Sequence, residues 1–490
     1  MLEIVKPKAR RWDSLLSTEA AGRVPSVMQT LFKALNDPDI LSLGAGVVPK
    51  QLFPLDNISF SVPQPDRSGQ ITDISTQKYE HLPGSSKLDL SAALDYGQAT
   101  GVKQLVEFLT QHVEVFQPAL LPCNIQIMLK RPSQIYHQPP YSDWKCILTG
   151  GNTSALDLAL RSFLEPGDFF LAEEYTYPTS YETAGPLGRK IVTLPMDNDG
   201  IDPNAMNHLL QNWNEAERGA KRPRVLYTIS TGQNPTGATP SLERRKEIYN
   251  LAQKWDLYIL EDDPYYYFQY EPFESKGGMA RDILPEEFVK GLIPSYLQLD
   301  IDGRVYRMDT FSKIISPGLR VGWLTASEQM IERIVRAHET SIQNPSGLTQ
   351  MILYKILQET WSQEGFTKWL ISLQSEYMRK RDLLYDLAQL YLPQHSVELI
   401  KPKAGFFMWI KVKWTQFPNS HQLSAKMVES QIYDEAIKQG VILLPGSWFR
   451  PDQGRELSEV FFRLSFAPCT REVMEPALKR IASTLATMTC

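Results

Sequence analysis

The chain has 490 residues, of which 42% are hydrophobic and 22% charged, with a formal net charge of −5. That length exceeds what one compact core organises, so two domains, one large and one small, are expected. The weakly acidic balance argues against a general nucleic-acid or membrane-surface binder, and the composition is ordinary for a soluble globular protein.

The first residues, MLEIVKPKARRWDS, carry charges where a secretory signal needs an apolar stretch. An arm is expected there, then an amphipathic helix announced by Pro25-Ser26, with Val27, Leu31, Phe32 and Leu35 on one side. Ile40 to Leu43 reads as a short strand running into Gly44-Ala45-Gly46, either a tight turn or a close backbone approach to a ligand. Polar residues 63–83 read as an exposed loop, 101–115 as a helix, and proline-rich 118–144 as a surface insertion.

From Lys145 to about Ser327 the pattern becomes strand, turn, helix, repeated. Apolar runs at 146–148, 169–172, 225–228 and 257–260 alternate with helices at 155–163 and 242–255. Continuous apolar strands of this kind belong to a mostly parallel sheet covered on both faces, where ligands sit beyond the strand C-termini. Residues 271–304 look like an inserted excursion. A long helix is expected from Glu328 into the 350s and another from Gly365 to about Tyr391. Alternation at 405–410 and 460–466 indicates a small α+β domain, and there is no internal repeat. The four cysteines form no CxxC pair and none lies near a histidine at ligand spacing. Reduced thiols, no metal and a cytoplasmic location are therefore expected, and no run of about 18 apolar residues suggests a membrane span.

The polar groups at the strand ends converge on one chemistry. DTFSKIISPGLRVG, residues 309–322, sets Lys313 just past a strand and Arg320 beside a glycine. Alone, these are two solvated charges on a loop. An amine that holds an aldehyde as an imine and then shuttles a proton must be lysine, so Lys313 is the candidate carrier of pyridoxal 5′-phosphate (PLP). An acid must keep the pyridine nitrogen protonated, and Asp262 ends a strand. Asn234 and Tyr265 suit the phenolic oxygen. Gly151-Asn152-Thr153 opens a helix and, with Arg320, suits a phosphate. Arg463, in an apolar strand, suits a substrate carboxylate, because an unpaired buried guanidinium is costly. Taken singly, Asn234-Pro235-Thr236-Gly237 could be a plain turn, Asp262 to Tyr265 or Asn152-Thr153 a helix cap, and Tyr177 a core aromatic.

NPTG at 234–237, EDDPYY at 261–266, and DTFSK followed by GLRVG resemble the PLP-dependent aminotransferases of fold type I, class I/II. The resemblance runs from about Leu41 to the last helix. EDDPYYYFQY, SLGAGVVPKQLFP and ALDYGQATGVKQLVEFL are most similar to the fungal-type aromatic and 2-aminoadipate (kynurenine-type) branch. It implies an α/β fold, with a large domain whose mostly parallel sheet is covered by helices and a smaller α+β domain. The implied boundaries are 1–75 for the N-terminal arm and part of the small domain, 76–345 for the PLP-binding domain, and 346–490 for the C-terminal small domain. By this resemblance Lys313 forms the Schiff base, Asp262 faces the pyridine nitrogen, and Asn234 and Tyr265 the phenolic oxygen. Asn152, Thr153, Thr310 and Arg320 bind phosphate, and Tyr177 stacks on the ring. Tyr96 reaches the phosphate of a neighbouring subunit, which implies a homodimer. Arg463, Asn234 and the backbone near Gly46 hold the substrate.

The implied reaction moves an amino group from an aromatic amino acid or 2-aminoadipate to a 2-oxo acid, expected to be 2-oxoglutarate, in a ping-pong cycle. A C–S β-eliminating lyase on the same scaffold is the alternative, because fold does not dictate reaction. A regulator with a degenerate domain is a third reading, against which the intact set of cofactor positions counts. Thr310 stands where many relatives have serine, which keeps the hydroxyl. The insertions at 118–144 and 271–304 are longer than in compact relatives.

Overall fold

The computed structural model describes residues 6–26, 48–66, 68–81, 87–113, 137–270, 283–418, 420–452 and 454–489. The expected helix from Val27, the strand at 40–43, Gly46, most of the 118–144 insertion and residues 271–282 lie outside them. The fold is α/β with a mostly parallel central sheet. Among the described residues no helix is long and apolar enough to cross a membrane.

The elements that matter for function come in this order. Strands β1 (Asn57–Pro63) and β2 (Ile71–Gln77) precede β3 (Trp144–Thr149) and helix α1 (Asn152–Phe163). Then follow β4 (Phe169–Glu173), α2 (Pro178–Ala184), β5 (Lys190–Leu194), β6 (Val225–Thr228) and β7 (Tyr258–Asp262). After β8 (Val305–Thr310) and β9 (Gly322–Ser327) comes the long α3 (Ser362–Tyr391). Strands β10 (Val397–Leu399), β11 (Phe407–Val412), β12 (Leu444–Pro445) and β13 (Val460–Ser465) complete the set.

Contacts divide the chain into two compact units, each made of three segments: 1–165, 258–264 and 283–372 in the first, 166–257, 265–282 and 373–490 in the second. In the first unit the strand order is β3-β9-β8-β7. Strands β7 and β8 run parallel, with Asp262 opposite Met308. Strand β9 returns antiparallel beside β8 and pairs antiparallel with β3, so that Gly322 lies opposite both Thr310 and Thr149. Alternation along β8 sends Tyr306 and Met308 to one face and Arg307 and Asp309 to the other. Helix α1 covers the former face, where Tyr306 Oη donates to Ala155 O at 3.0 Å. On the other face Glu261 accepts from the main-chain N–H groups of Tyr296 and Leu297, at 2.8 and 3.2 Å.

In the second unit β6-β4-β5 form parallel neighbours. The order β10-β11-β13-β12 forms a separate antiparallel sheet in which Trp409 faces Arg463. The packing is close where Gly232 meets Gly405. A Cβ on Gly232, whose φ is +54°, would fall 2.3 Å from Gly405 Cα. Only glycines allow these two backbones to touch.

Three local expectations are corrected. Residues 57–77 form an antiparallel hairpin rather than leaving 63–83 a loop. One face carries Ile58, Phe60, Val62 and Ile74, half-buried to buried, and the other is an exposed polar ladder in which Ser61 donates to Asp73 at 2.6 Å and Ser59 to Ser75 at 3.1 Å. The alternation Ile58, Phe60, Val62 in β1 was the available signal, whereas β2, whose apolar residues are Ile71 and Ile74, has no such period. The helix from Glu328 ends at Glu339 and a new one starts at Gly347, and between them Gln343 takes φ +60° and Pro345 disfavours helical backbone at Asn344. Residues 283–304 are no loose excursion, since Phe288, Tyr296 and Leu297 are fully buried there.

Candidate active site

In the first unit, parallel β7 and β8 deliver their last residues side by side. Asp262 is 6% exposed and its Oδ1 accepts from Asn152 Nδ2 at 2.7 Å. The same Nδ2 donates to Met308 O at 3.0 Å. Lys313 follows β8 by three residues, half-buried in a turn whose Ile314, Ile315 and Ser316 amides donate to Phe311 O. Trp369 of α3 donates its indole N–H to Ile314 O at 2.7 Å, which pins the residue next to the lysine. The lysine thus leaves a turn held from two sides.

The start of α1 has the features of an anion cradle. Gly151 has φ +95°, and a Cβ there would lie 3.0 Å from Arg320 Nη2. A Cβ on Gly322 would lie 2.5 Å from Asp309 O and 3.2 Å from Gly151 Cα. The two glycines therefore let the helix start, the strand end and the arginine share a small space. Thr310 Oγ1 donates to Ser312 Oγ at 2.9 Å, and Arg320 Nη1 donates to Pro317 O at 2.9 Å and reaches Ser312 Oγ at 3.4 Å. Thr153 is exposed in the first turn of the helix. Main-chain N–H groups at a helix start, two hydroxyls and a guanidinium are what a phosphate prefers. Ser312 was missed in the sequence, although its hydroxyl sits between the two residues that were found.

In the second unit Arg463 Nη1 donates to Asn234 Oδ1 at 2.6 Å. The guanidinium carbon lies 4.3 Å from the Phe407 ring centroid and 4.8 Å from that of Phe449. Burial pulls the Arg463 pKa below its ordinary value, and the nearby Tyr265 and Tyr177 phenols act the other way. Among the described residues its Nε is buried without a hydrogen-bond partner. With Nη1 taken by the amide, the side-on edge of the fork, Nε and Nη2, is the part left to meet a planar carboxylate. Tyr265 is buried against Phe406 and Phe407 at centroid distances of 5.1 and 5.7 Å. Tyr177 precedes α2 and is 36% exposed. Its segment is tied to the turn carrying Phe449 by Thr176 N–H to Phe449 O at 2.8 Å and by Tyr181 Oη to Trp448 O at 2.7 Å.

Of the expected residues, Asn152 and Asp262 meet directly, Thr310 and Arg320 meet through Ser312, and Asn234 meets Arg463. Tyr96 is 61% exposed after the short helix Leu90–Ala93. The Phe407 and Phe449 faces on Arg463 were not legible, because their partner is remote in sequence. Nor was a buried ionic cluster on the reverse face of β7 and β8. There Arg307 contacts Glu261 at 3.1 Å, Asp263 at 3.2 Å and Asp309 at 2.8 Å, all essentially fully buried. Burial first, then the neighbouring Asp263 and Glu261 charges, pushes Asp309 up to about 7 against the pull of Arg307. Charges spaced two apart within apolar strands, Glu261 with Asp263 and Arg307 with Asp309, were the available signal.

Residues 140–481 match the family model of class I and II aminotransferases. An aromatic amino acid aminotransferase of Schizosaccharomyces pombe is 39% identical over 481 residues, 96% of each chain. The mitochondrial kynurenine/alpha-aminoadipate aminotransferase of Mus musculus is 31% identical over 96% of this chain and 98% of its own. The crystal structure of the aminotransferase Aro8 from Candida albicans superposes with a TM-score of 0.87 at 33% identity, covering 99% of this chain and all of that one.

Proposed function

The chain belongs to the class I and II aminotransferases, PLP-dependent transaminases, and from that premise we propose that it transfers the amino group of an aromatic amino acid or 2-aminoadipate to 2-oxoglutarate. The observation that carries the carboxylate half of this reading is the buried Nε of Arg463, without a partner among the described residues, beside an Nη1 already bonded to Asn234. Every 2-amino and 2-oxo acid in such a cycle shares the carboxylate which that edge would hold. The aromatic preference is supported by the activity for which the S. pombe relative is named and the 2-aminoadipate preference by that of the mouse relative. 2-Oxoglutarate and 2-aminoadipate are both short dicarboxylates, so a site accepting one has the means to accept the other.

The residues present fit PLP. The Gly151–Gly322–Arg320 cradle suits its phosphate, Asp262 its ring nitrogen, Asn234 and Tyr265 its phenolic oxygen, and Tyr177 its ring face. Bound PLP supplies an aldehyde that condenses with amines and a cationic ring that withdraws electrons from the carbon next to the amine. Lys313 would hold that aldehyde through its amine and, with the amine free, would move a proton at the substrate Cα. Asp262 would set its carboxylate against the ring nitrogen. Asn234 spends its carbonyl on Arg463, which aims the guanidinium fork before substrate arrives.

We also read the active unit as a homodimer in the cytoplasm. Exposed apolar side chains on the first unit, Leu52, Tyr79 and Tyr96 at 57–70%, support self-association. The cysteine pattern, with no CxxC pair, supports the location. Purified protein is expected to sediment at twice its 55.9 kDa chain mass. A fully active monomer would remove the dimer, and a tagged chain confined to an organelle would remove the location. The substrate reading is tested with a donor panel and 2-oxoglutarate as acceptor. Tyrosine, phenylalanine, tryptophan, kynurenine or 2-aminoadipate is expected to give kcat/KM values at least about tenfold above alanine and aspartate, the equivalent of about 1.4 kcal/mol. Pyruvate and ammonia released from a cysteine conjugate without any acceptor would favour the lyase instead.

A further inference from the structure

We infer that Asn152 is a positioning residue for Asp262, its side-chain amide fixing the carboxylate in the orientation that meets a ring N–H. The inference rests on the PLP site proposed above and assigns Asn152 a different task from the phosphate contact that the resemblance implies. Both of its hydrogen bonds run from Nδ2 to acceptors at the strand ends, Asp262 Oδ1 at 2.7 Å and Met308 O at 3.0 Å. Met308 is the register partner of Asp262 on the neighbouring parallel strand. One amide therefore bridges the carboxylate and the backbone directly across from it.

The orientation of that amide is chemically determined. Turned over, its oxygen would face a carboxylate and a carbonyl, neither of which donates. As it stands, Asn152 Oδ1 is buried with no partner among the described residues. The side chain is placed for its donors, at the expense of its acceptor. A donor held against a carboxylate oxygen stabilises the charged form and restricts rotation about the last side-chain bond. Any share of Asn152 in holding phosphate falls to its main-chain N–H, which the first turn of α1 leaves without an intrahelical acceptor.

The test measures affinity for two probes on protein freed of cofactor: PLP, and 1-deaza-PLP, whose ring nitrogen is replaced by a C–H. The wild-type chain is expected to prefer PLP. Asn152→Ala is expected to weaken PLP binding by about tenfold to a hundredfold, the range for losing a hydrogen bond to a charged group, and to leave 1-deaza-PLP nearly unchanged. The preference for a ring nitrogen should collapse. Asn152→Ser, too short to reach Asp262 but still polar at the helix start, gives the same comparison if the alanine variant does not fold. Equal losses for both probes, or no loss for either, overturn the positioning role and leave the PLP site standing. A wild-type chain that binds neither probe, or shows no preference between them, overturns the site reading and this inference with it.

Discussion

Lys313→Ala is expected to lower kcat by about 10⁴-fold or more with every donor. The residue is asked for two services that no neighbour duplicates: a covalent link to the aldehyde, and movement of a proton at carbon. A positioned acid–base group alone is worth 10²–10⁴ in rate, and the covalent route adds to that. The turn around it is secured by the Phe311 carbonyl and by Trp369, so loss of the amine should leave the fold intact. Single-turnover absorbance and melting temperature separate the two effects. Near-normal turnover in a folded alanine variant would remove the central assignment, and an inactive variant that has also lost its cooperative melt would not support it.

Arg463→Ala is expected to raise KM for every amino acid and every 2-oxo acid, with kcat/KM falling by about 10²-fold or more. Truncating one partner of a buried, hydrogen-bonded charge pair costs roughly 2–5 kcal/mol. The uniformity matters more than the size, since all substrates share the carboxylate. Arg463→Lys should recover little, because an ammonium cannot present two parallel donors while keeping a third for Asn234. The flanking Phe407 and Phe449 faces also suit a flat guanidinium rather than a point charge. Unchanged KM values across the panel would mean that the carboxylate is held elsewhere. A change confined to aromatic donors would place Arg463 at the side-chain end of the substrate instead.

The parallel strands were readable because burial on both faces makes them continuous apolar runs, as in Val225 to Thr228 and Tyr258 to Leu260. Helix Leu242–Trp255 was readable to its ends, with Ser241 accepting from Arg244 N–H at its start. The hairpin at 57–77 was missed although Ile58, Phe60 and Val62 alternate in its first strand, because its second strand, ITDISTQ, has no such alternation and polar residues dominate 63–83. Candidate site residues could be proposed by type and position at strand ends, but their partners could not. That Asn152 faces Asp262, 110 residues away, and that Asn234 faces Arg463, 229 away, follows from strand order and register.

Local composition by itself determined the strand-and-helix alternation and pointed to Lys313 and to the kind of chemistry its companions would serve. Only the folded chain decided which side chain each of them holds. Hydrophobic period and turn formers act over a few residues, whereas a hydrogen bond between two strand ends depends on the packing of everything between them.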